Sequence, residues 1–452
     1  MDGKLRLILA ISILASFVAF LDGSVVNVAL PSIIHHLGGG LVAQQWIVDA
    51  YLLTLGSLIL LAGSLSDLFG RKRVLVVGLL GFGITSLLCA GAPTNTFLII
   101  ARGFQGVAGA LLVPSSLAII ISNFKGNAQG KAIGTWTAWT GIAFVIGPLL
   151  GGFLVDAFTW RLIFAINVIP IAVCLWLLSR LKLTEQRSKL KLDVNGAILC
   201  SLGLFGTVFA LIEQPNYSWS SGIILGPFIA GLLLLVIFIM YERKIPNAML
   251  PLSLFKIRNF SAGNLSTVVI YGGLSIATFL IVIFLQEVGG FSAFRAGLSL
   301  LPVTIIMFVL SPQFGKLAGK HGPRLYMSAG PLISGIGFLL MTSVSAHVNY
   351  LTQLLPGILV FSFGLSMTVA PLTSAVLGDI EKSRSGIASA VNNAIARVAG
   401  LIAIAIIGVI VGHNINLSGF RHAIIFTGAL LIIGGVLSAA GIRNHQRAPE
   451  GN

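Results

Sequence analysis

Three residues whose charges are costly in an apolar setting stand inside long hydrophobic stretches: Asp22 in FVAFLDGSVV, Asp49 in WIVDAYLL and Arg102 in LIIARGFQG. A charge at bilayer depth costs roughly 2.5–3.5 kcal/mol on insertion scales, so such residues usually face a cavity or a partner and mark a pathway. An acid beside a guanidinium can do proton chemistry there. Burial favours the neutral acid and the guanidinium favours the charged one, so the balance tips when access to water changes. Asp22 is thus a candidate proton carrier, with Arg102 positioning it or relaying its protonation. Asp49, nearer the interface, is a second candidate. The same two charges also fit a static Asp22–Arg102 pair that locks two helices together.

The elements that must hold these residues are membrane helices. Of 452 residues, 56% are hydrophobic and only 9% charged, with a mean hydropathy of +1.00. A soluble chain carries about 25% charged residues. Apolar runs of at least about 18 residues fall near 7–30, 46–65, 74–92, 97–121, 132–154, 161–179, 194–212, 221–241, 260–285, 295–314, 325–344, 350–372, 385–411 and 421–441. The fold class expected is an all-α polytopic membrane protein with fourteen spans. The first run is too long for a signal-peptide core and ends in Leu30-Pro31 without a small-residue cleavage pattern, so it stays attached.

The net charge of +15 is a matter of orientation, not of nucleic-acid binding. With a cytoplasmic amino terminus, 23 of the 28 basic residues lie in inside segments and three, Arg161, Arg295 and Arg421, outside. Both termini are then cytoplasmic and the protein is expected in the cell membrane, in contact with the lipid bilayer. Cys89, Cys174 and Cys200 lie in apolar runs and suggest neither a disulfide framework nor a metal site. His35, His36 and His413 read as outer-loop residues without ligand spacing. No metal and no cofactor is expected.

Between the second and third runs lies GSLSDLFGRKR, residues 63–73. Gly70 supplies freedom to turn, Asp67 is placed to accept from backbone N–H groups, and Gly63, Asp67, Gly70 and Arg71 form a candidate conformational switch, with Asp67 and Arg71, four apart, as a latch for one conformation. A weaker copy, GKLAGKHGPR at 315–324, lies 252 residues on, with Gly319 where Asp67 stands. Gly130 and Gly386, and Pro114 and Pro371, match at offsets of 256 and 257. Three nearly equal offsets imply two related six-helix bundles, residues 1–181 and 259–442, with two helices inserted at 182–258 and a tail at 443–452.

These segments resemble the major facilitator superfamily, and within it the fourteen-helix drug:proton antiporters. The hinge 63–73 is similar to that family's loop between its second and third helices. LDGSVVNVALP at 21–31 and RGFQGVAGA at 102–110 look like its first- and fourth-helix signatures, and WRLIFAINVIP at 160–170 looks like the segment after its fifth helix. GIAFVIGPLLGG at 141–152 is similar to its fifth-helix antiporter motif. Read as residues, Gly141, Gly147, Pro148, Gly151 and Gly152 remove one backbone hydrogen bond and leave a flat glycine face for close packing.

The resemblance implies a secondary transporter, not an enzyme, that exports amphipathic small molecules in exchange for protons, with the proton gradient as its energy source. It also implies a periplasmic adaptor as partner if the source is Gram-negative. The alternatives are an exporter of one endogenous metabolite and a proton-symport importer. Asn27, Gln105, Asn393 and Arg397 are candidate cavity residues, the last beside Asn392 at the matching position of the second bundle. Met307 stands near where some relatives carry an acid, which argues against dicationic substrates.

Overall fold

The computed structural model describes residues 3–181, 192–246, 248–345, 347–381, 384–413 and 415–444. Lys182, Arg187, Lys189, Lys191, Lys382 and Arg447, counted above for orientation, lie outside these residues, as does the tail from 445. Among the described residues, fourteen helices are long and apolar enough to cross a membrane, beginning with α1 (Gly3–Leu37), α2 (Leu41–Phe69), α3 (Arg71–Ala90), α4 (Asn95–Asn123) and α5 (Gly126–Ala157). After these come α6 (Leu162–Ser179), α7 (Val194–Glu213), α8 (Gly222–Glu242), α9 (Arg258–Glu287) and α10 (Ala293–His321). Last are α11 (Arg324–Ser343), α12 (Tyr350–Leu377), α13 (Ser385–Val411) and α14 (Leu417–Gly441). Each overlaps an expected apolar run, and ten contain it whole. Most extend beyond it, because the backbone ladder continues through polar turns that hydropathy does not register. His35 and His36 accordingly lie in the last turn of α1 rather than in a loop, and α5 begins six residues before its apolar run.

Two of these helices are interrupted where the sequence removes backbone donors. Pro170 cannot donate to Ile166, so α6 divides into Leu162–Ala165 and Val168–Ser179 with Asn167 at the break. Helix α10 divides before Pro302, into Ala293–Ser299 and Leu301–His321.

The chain forms two compact units. The first comprises Met1–Leu250 with Ile281–Leu298 and Ile404–Ile415, and the second Pro251–Leu280, Ser299–Ala403 and Asn416–Asn452. Inserted helices α7 and α8 therefore belong to the first unit. At one end of α7, Trp46 of α2 packs between Phe205 and Phe209, with ring centroids 6.2 Å away from each, and donates to Glu213 Oε1 at 2.8 Å.

Close helix approach is set by glycine. A Cβ on Gly106 of α4 would lie 2.3 Å from the Tyr51 carbonyl oxygen of α2. One on Gly364 of α12 would lie 2.4 Å from the Gly330 carbonyl of α11. Lacking a drive to hide apolar surface from water, membrane helices associate through such small-residue contacts and polar ties.

Candidate functional site

The intramembrane polar centre is built in the first unit from α1, α3, α4 and α6. Asp22 is fully buried and Arg102 nearly so. Arg102 Nη1 donates to Asp22 Oδ2 at 2.5 Å and to Gln105 Oε1 at 2.7 Å. Asp22 Oδ1 accepts from Gln105 Nε2 at 3.0 Å and from Asn167 Nδ2 at 2.8 Å. Ser86 Oγ in turn accepts from Gln105 Nε2 at 2.9 Å. Further guanidinium contacts fall on α2 and α6: Arg102 Nε donates to the Ile47 carbonyl at 3.1 Å, and its Cζ is 4.3 Å from the Tyr51 ring centroid and 5.7 Å from that of Phe164.

The spacing of Arg102 and Gln105, three apart on α4, puts both on the face toward Asp22. The break in α6 turns Asn167 inward to the same carboxylate. Asp22 is thereby supplied with three donors, the arrangement that makes a buried charge tolerable.

Asp49 presents the opposite case. It is fully buried, and both its carboxylate oxygens lack a hydrogen-bond partner among the described residues. Residues two apart on a helix point about 200° apart, so Asp49 faces away from the side on which Ile47 and Tyr51 hold Arg102. It shares its face with Gln45, one turn earlier, whose Nε2 donates to the carbonyls of Ile404 and Ala405 at 2.6 and 3.1 Å. All four residues are in the first unit.

Helix α5 carries the glycine face. A Cβ on Gly147 would meet Ser24 Oγ at 1.9 Å and one on Gly151 the Val25 carbonyl at 2.9 Å, both on α1. Gly152 lies against the backbone of Phe294, and Gly297 faces the Pro148 carbonyl, where a Cβ would lie 2.4 Å away. Asp156, on the last turn of α5, accepts from the N–H groups of Ala293 and Phe294 at 3.1 and 2.9 Å, which supplies the orphan donors at the start of α10. Gly141 has no atom within 4 Å of a Cβ position and takes no part in this packing.

In the hinge, Gly70 has φ +101°. Asp67 lies in the last turn of α2, not at a helix start, and its Oδ1 accepts from Arg71 Nη2 at 3.0 Å and Nε at 3.2 Å. Arg71 Nη1 reaches the Ala118 carbonyl at 3.2 Å, and Lys72 Nζ the Leu181 carbonyl at 2.5 Å.

Of the four expected cavity residues, Gln105 is fully enclosed in the Asp22 network. Asn27 is buried with Oδ1 unpartnered. Asn393 and Arg397 are half-buried on α13, near Asn392, which donates to Asn264 Oδ1 and Thr267 Oγ1 at 3.0 and 2.7 Å. Sequence reasoning passed over Asn167 and Ser86, because an Asn and a Ser in apolar runs carry no insertion penalty large enough to stand out.

Among proteins of known sequence, the chain is 32% identical over 95% of its length to 85% of an uncharacterized MFS-type transporter, EfpA, of Mycobacterium tuberculosis. It is 32% identical over 90% of its length to 76% of the multidrug transporter protein MdtP of Bacillus subtilis. The methylenomycin A resistance protein of Bacillus subtilis is 33% identical, over 89% of this chain and 87% of that one. Among solved structures, a peptide transporter, POT, crystallised with sulfate, superposes with a TM-score of 0.70 at 14% identity, over 97% of this chain and 94% of that one, a likeness of fold alone. The Major Facilitator Superfamily sequence model aligns with residues 12–404 and, in a second alignment, 265–452, and with its fourteen helices, duplicated hinge and close relatives this chain belongs to that superfamily.

Proposed function

We propose that this protein exports amphipathic organic compounds across the cell membrane in exchange for protons, with both termini in the cytoplasm. The names of its relatives, a multidrug transporter and an antibiotic-resistance protein, support the substrate class. The bias of 23 basic residues to three supports the orientation.

One observation carries the coupling scheme: of two fully buried acids, Asp22 has three side-chain donors and Asp49 has none. A buried carboxylate without a donor or counter-ion is costly in its charged form, so Asp49 carries its proton in this conformation. When the site opens to the cytoplasm, water solvates the carboxylate and the proton leaves. When it opens outward, Asp49 takes up a proton as the substrate departs. One charge moving through about 100 mV gains roughly 2.3 kcal/mol, enough for some fortyfold accumulation per proton. Asp22 and Arg102 hold α1, α4 and α6 to α2 while this happens.

Everted vesicles test the scheme. Asp49→Asn should abolish substrate-induced dissipation of the proton gradient while the protein still binds substrate. Asp22→Asn should lower transport together with thermal stability, because it removes a charge partner from Arg102. Unchanged proton-driven efflux by Asp49→Asn refutes the assignment, and an inward substrate flux with the proton would make the protein a symporter.

A further inference from the structure

A second pair of acids lies at the other end of the inserted helices. Asp193 caps α7, its Oδ1 accepting from the Gly196 N–H at 2.8 Å. Glu242 is the last residue of α8. Both are buried, Glu242 at 3% exposure and Asp193 at 8%. The chain between α8 and α9 returns over them: Asp193 Oδ2 accepts from the Met249 N–H at 3.4 Å, and Glu242 Oε2 from the Leu250 N–H at 2.8 Å.

Four carboxyl oxygens thus have three backbone donors. The fourth oxygen, Glu242 Oε1, is buried and has no hydrogen-bond partner among the described residues. It faces Asp193: a Cβ on Gly196 would lie 2.3 Å from Asp193 Oδ2 and 2.5 Å from Glu242 Oε1, so both oxygens converge on the space that glycine leaves open. Among the described residues the surroundings provide no counter-charge. Met249, Ala197 and Phe238 pack here with Leu58, Leu60 and Leu61 of α2. The titratable neighbour on α7 is the Cys200 thiol, also packed against this cluster, while Arg243 and Lys244 are exposed and pair with neither acid among the described residues. Two carboxylates so placed cannot both ionise without a large penalty, and a proton between them satisfies the fourth oxygen.

We propose that Asp193 and Glu242 form a proton-binding site that holds one proton between them, and that this proton latches residues 249–250 to the ends of α7 and α8. The latched segment ends where the first unit ends, at Leu250, and Pro251 begins the second. With the orientation proposed above, the site is on the cytoplasmic side, where loss of the proton at raised pH frees the connector by repulsion between the two carboxylates. The site is separate from Asp49 and stands or falls independently of it.

Hydrogen exchange on the purified full-length protein across pH 5 to 9 tests this, read as protection factors so that intrinsic exchange is divided out. In the unsubstituted protein the Met249 and Leu250 amides should lose about tenfold protection with rising pH. Glu242→Gln keeps the acceptor for Leu250 and offers an N–H to Asp193, so protection should stay high at every pH. Asp193→Asn, a second neutral isostere, should flatten the pH dependence as well. Glu242→Ala should be poorly protected throughout. The proposal is overturned if unsubstituted protein shows no pH dependence, or if Glu242→Gln is as exposed as Glu242→Ala while the core amides of α2 and α4 stay protected.

Discussion

The two hinges descend from one sequence pattern but are held together by different chemistry. At offset 252 the glycines Gly70 and Gly322 occupy equivalent places and share positive φ, +101° and +87°. Lys72 and Arg324 are also equivalent, and each reaches a carbonyl beyond or near the end of a later helix: Leu181 after α6, and Ala439 of α14 at 2.9 Å. Here the likeness ends. The first hinge is tied by the Asp67–Arg71 ion pair, whereas the second has Gly319 and Pro323 in those places.

Its tie comes instead from the end of the chain. Asn444 Oδ1 accepts from the Arg324 N–H at 3.1 Å and Asn444 Nδ2 donates to the His321 carbonyl at 3.2 Å, with the side chain lying where a Cβ on Gly322 would be. Neighbouring residues hold the same segment in place: Asn259 bonds both N–H and C=O of Arg443, at 2.9 and 3.0 Å, and also Asp379 Oδ2 at 2.8 Å. Arg258 reaches the carbonyls of Gly441 and Ala440. A duplicated element can thus keep its geometry while a distant segment takes over a lost side-chain contact.

The comparison can be broken most readily at Gly322. Gly322→Ala should destabilise the protein by about 3 kcal/mol in a denaturant titration, since a side chain at that φ is strained and would displace Asn444. Asn444→Ala alone should cost about 1 kcal/mol, and almost nothing on top of Gly322→Ala, if Asn444 fills that notch. Additive losses would show that the tail does not tie the hinge.

Asp67→Asn probes the other hinge. Its ion pair is part-exposed, 32% for Arg71 and 42% for Asp67, so stability should change by less than about 0.5 kcal/mol. If the pair latches one conformation, the export rate should nonetheless fall about fivefold; an unaltered rate would make the ion pair as dispensable as its absence from the second hinge implies. The smallest effect is expected for Gly319→Asp. That position is exposed, with open space where its Cβ would be, and restoring the acid should alter stability by no more than about 0.5 kcal/mol and leave transport unchanged, since Pro323 offers no guanidinium to meet it.

Much of this was legible beforehand. The fourteen spans follow from runs too apolar to stay in water, and Asp22 with Arg102 from charges too costly to be left unpartnered. The glycine face of α5 was legible too, since only glycine leaves room for backbone to meet backbone. Less visible was the distribution of partners. Nothing local to FLDGS or WIVDAY distinguishes an acid with three donors from one with none, because the donors to Asp22 come from residues 80 to 145 positions away. Asp193 and Glu242 drew no attention in the sequence, and only the connector folded over them sets them apart from other acids at helix ends.

What the sequence determined by itself was everything set by the free energy of moving side chains out of water: the membrane, the helices, the orientation bias and the short list of charges worth attention. Which of those charges is paired, which is orphaned and which two share a site were decided only by the tertiary structure. Hydrogen bonds act over about 3 Å between residues whose separation along the chain carries no information about their separation in space.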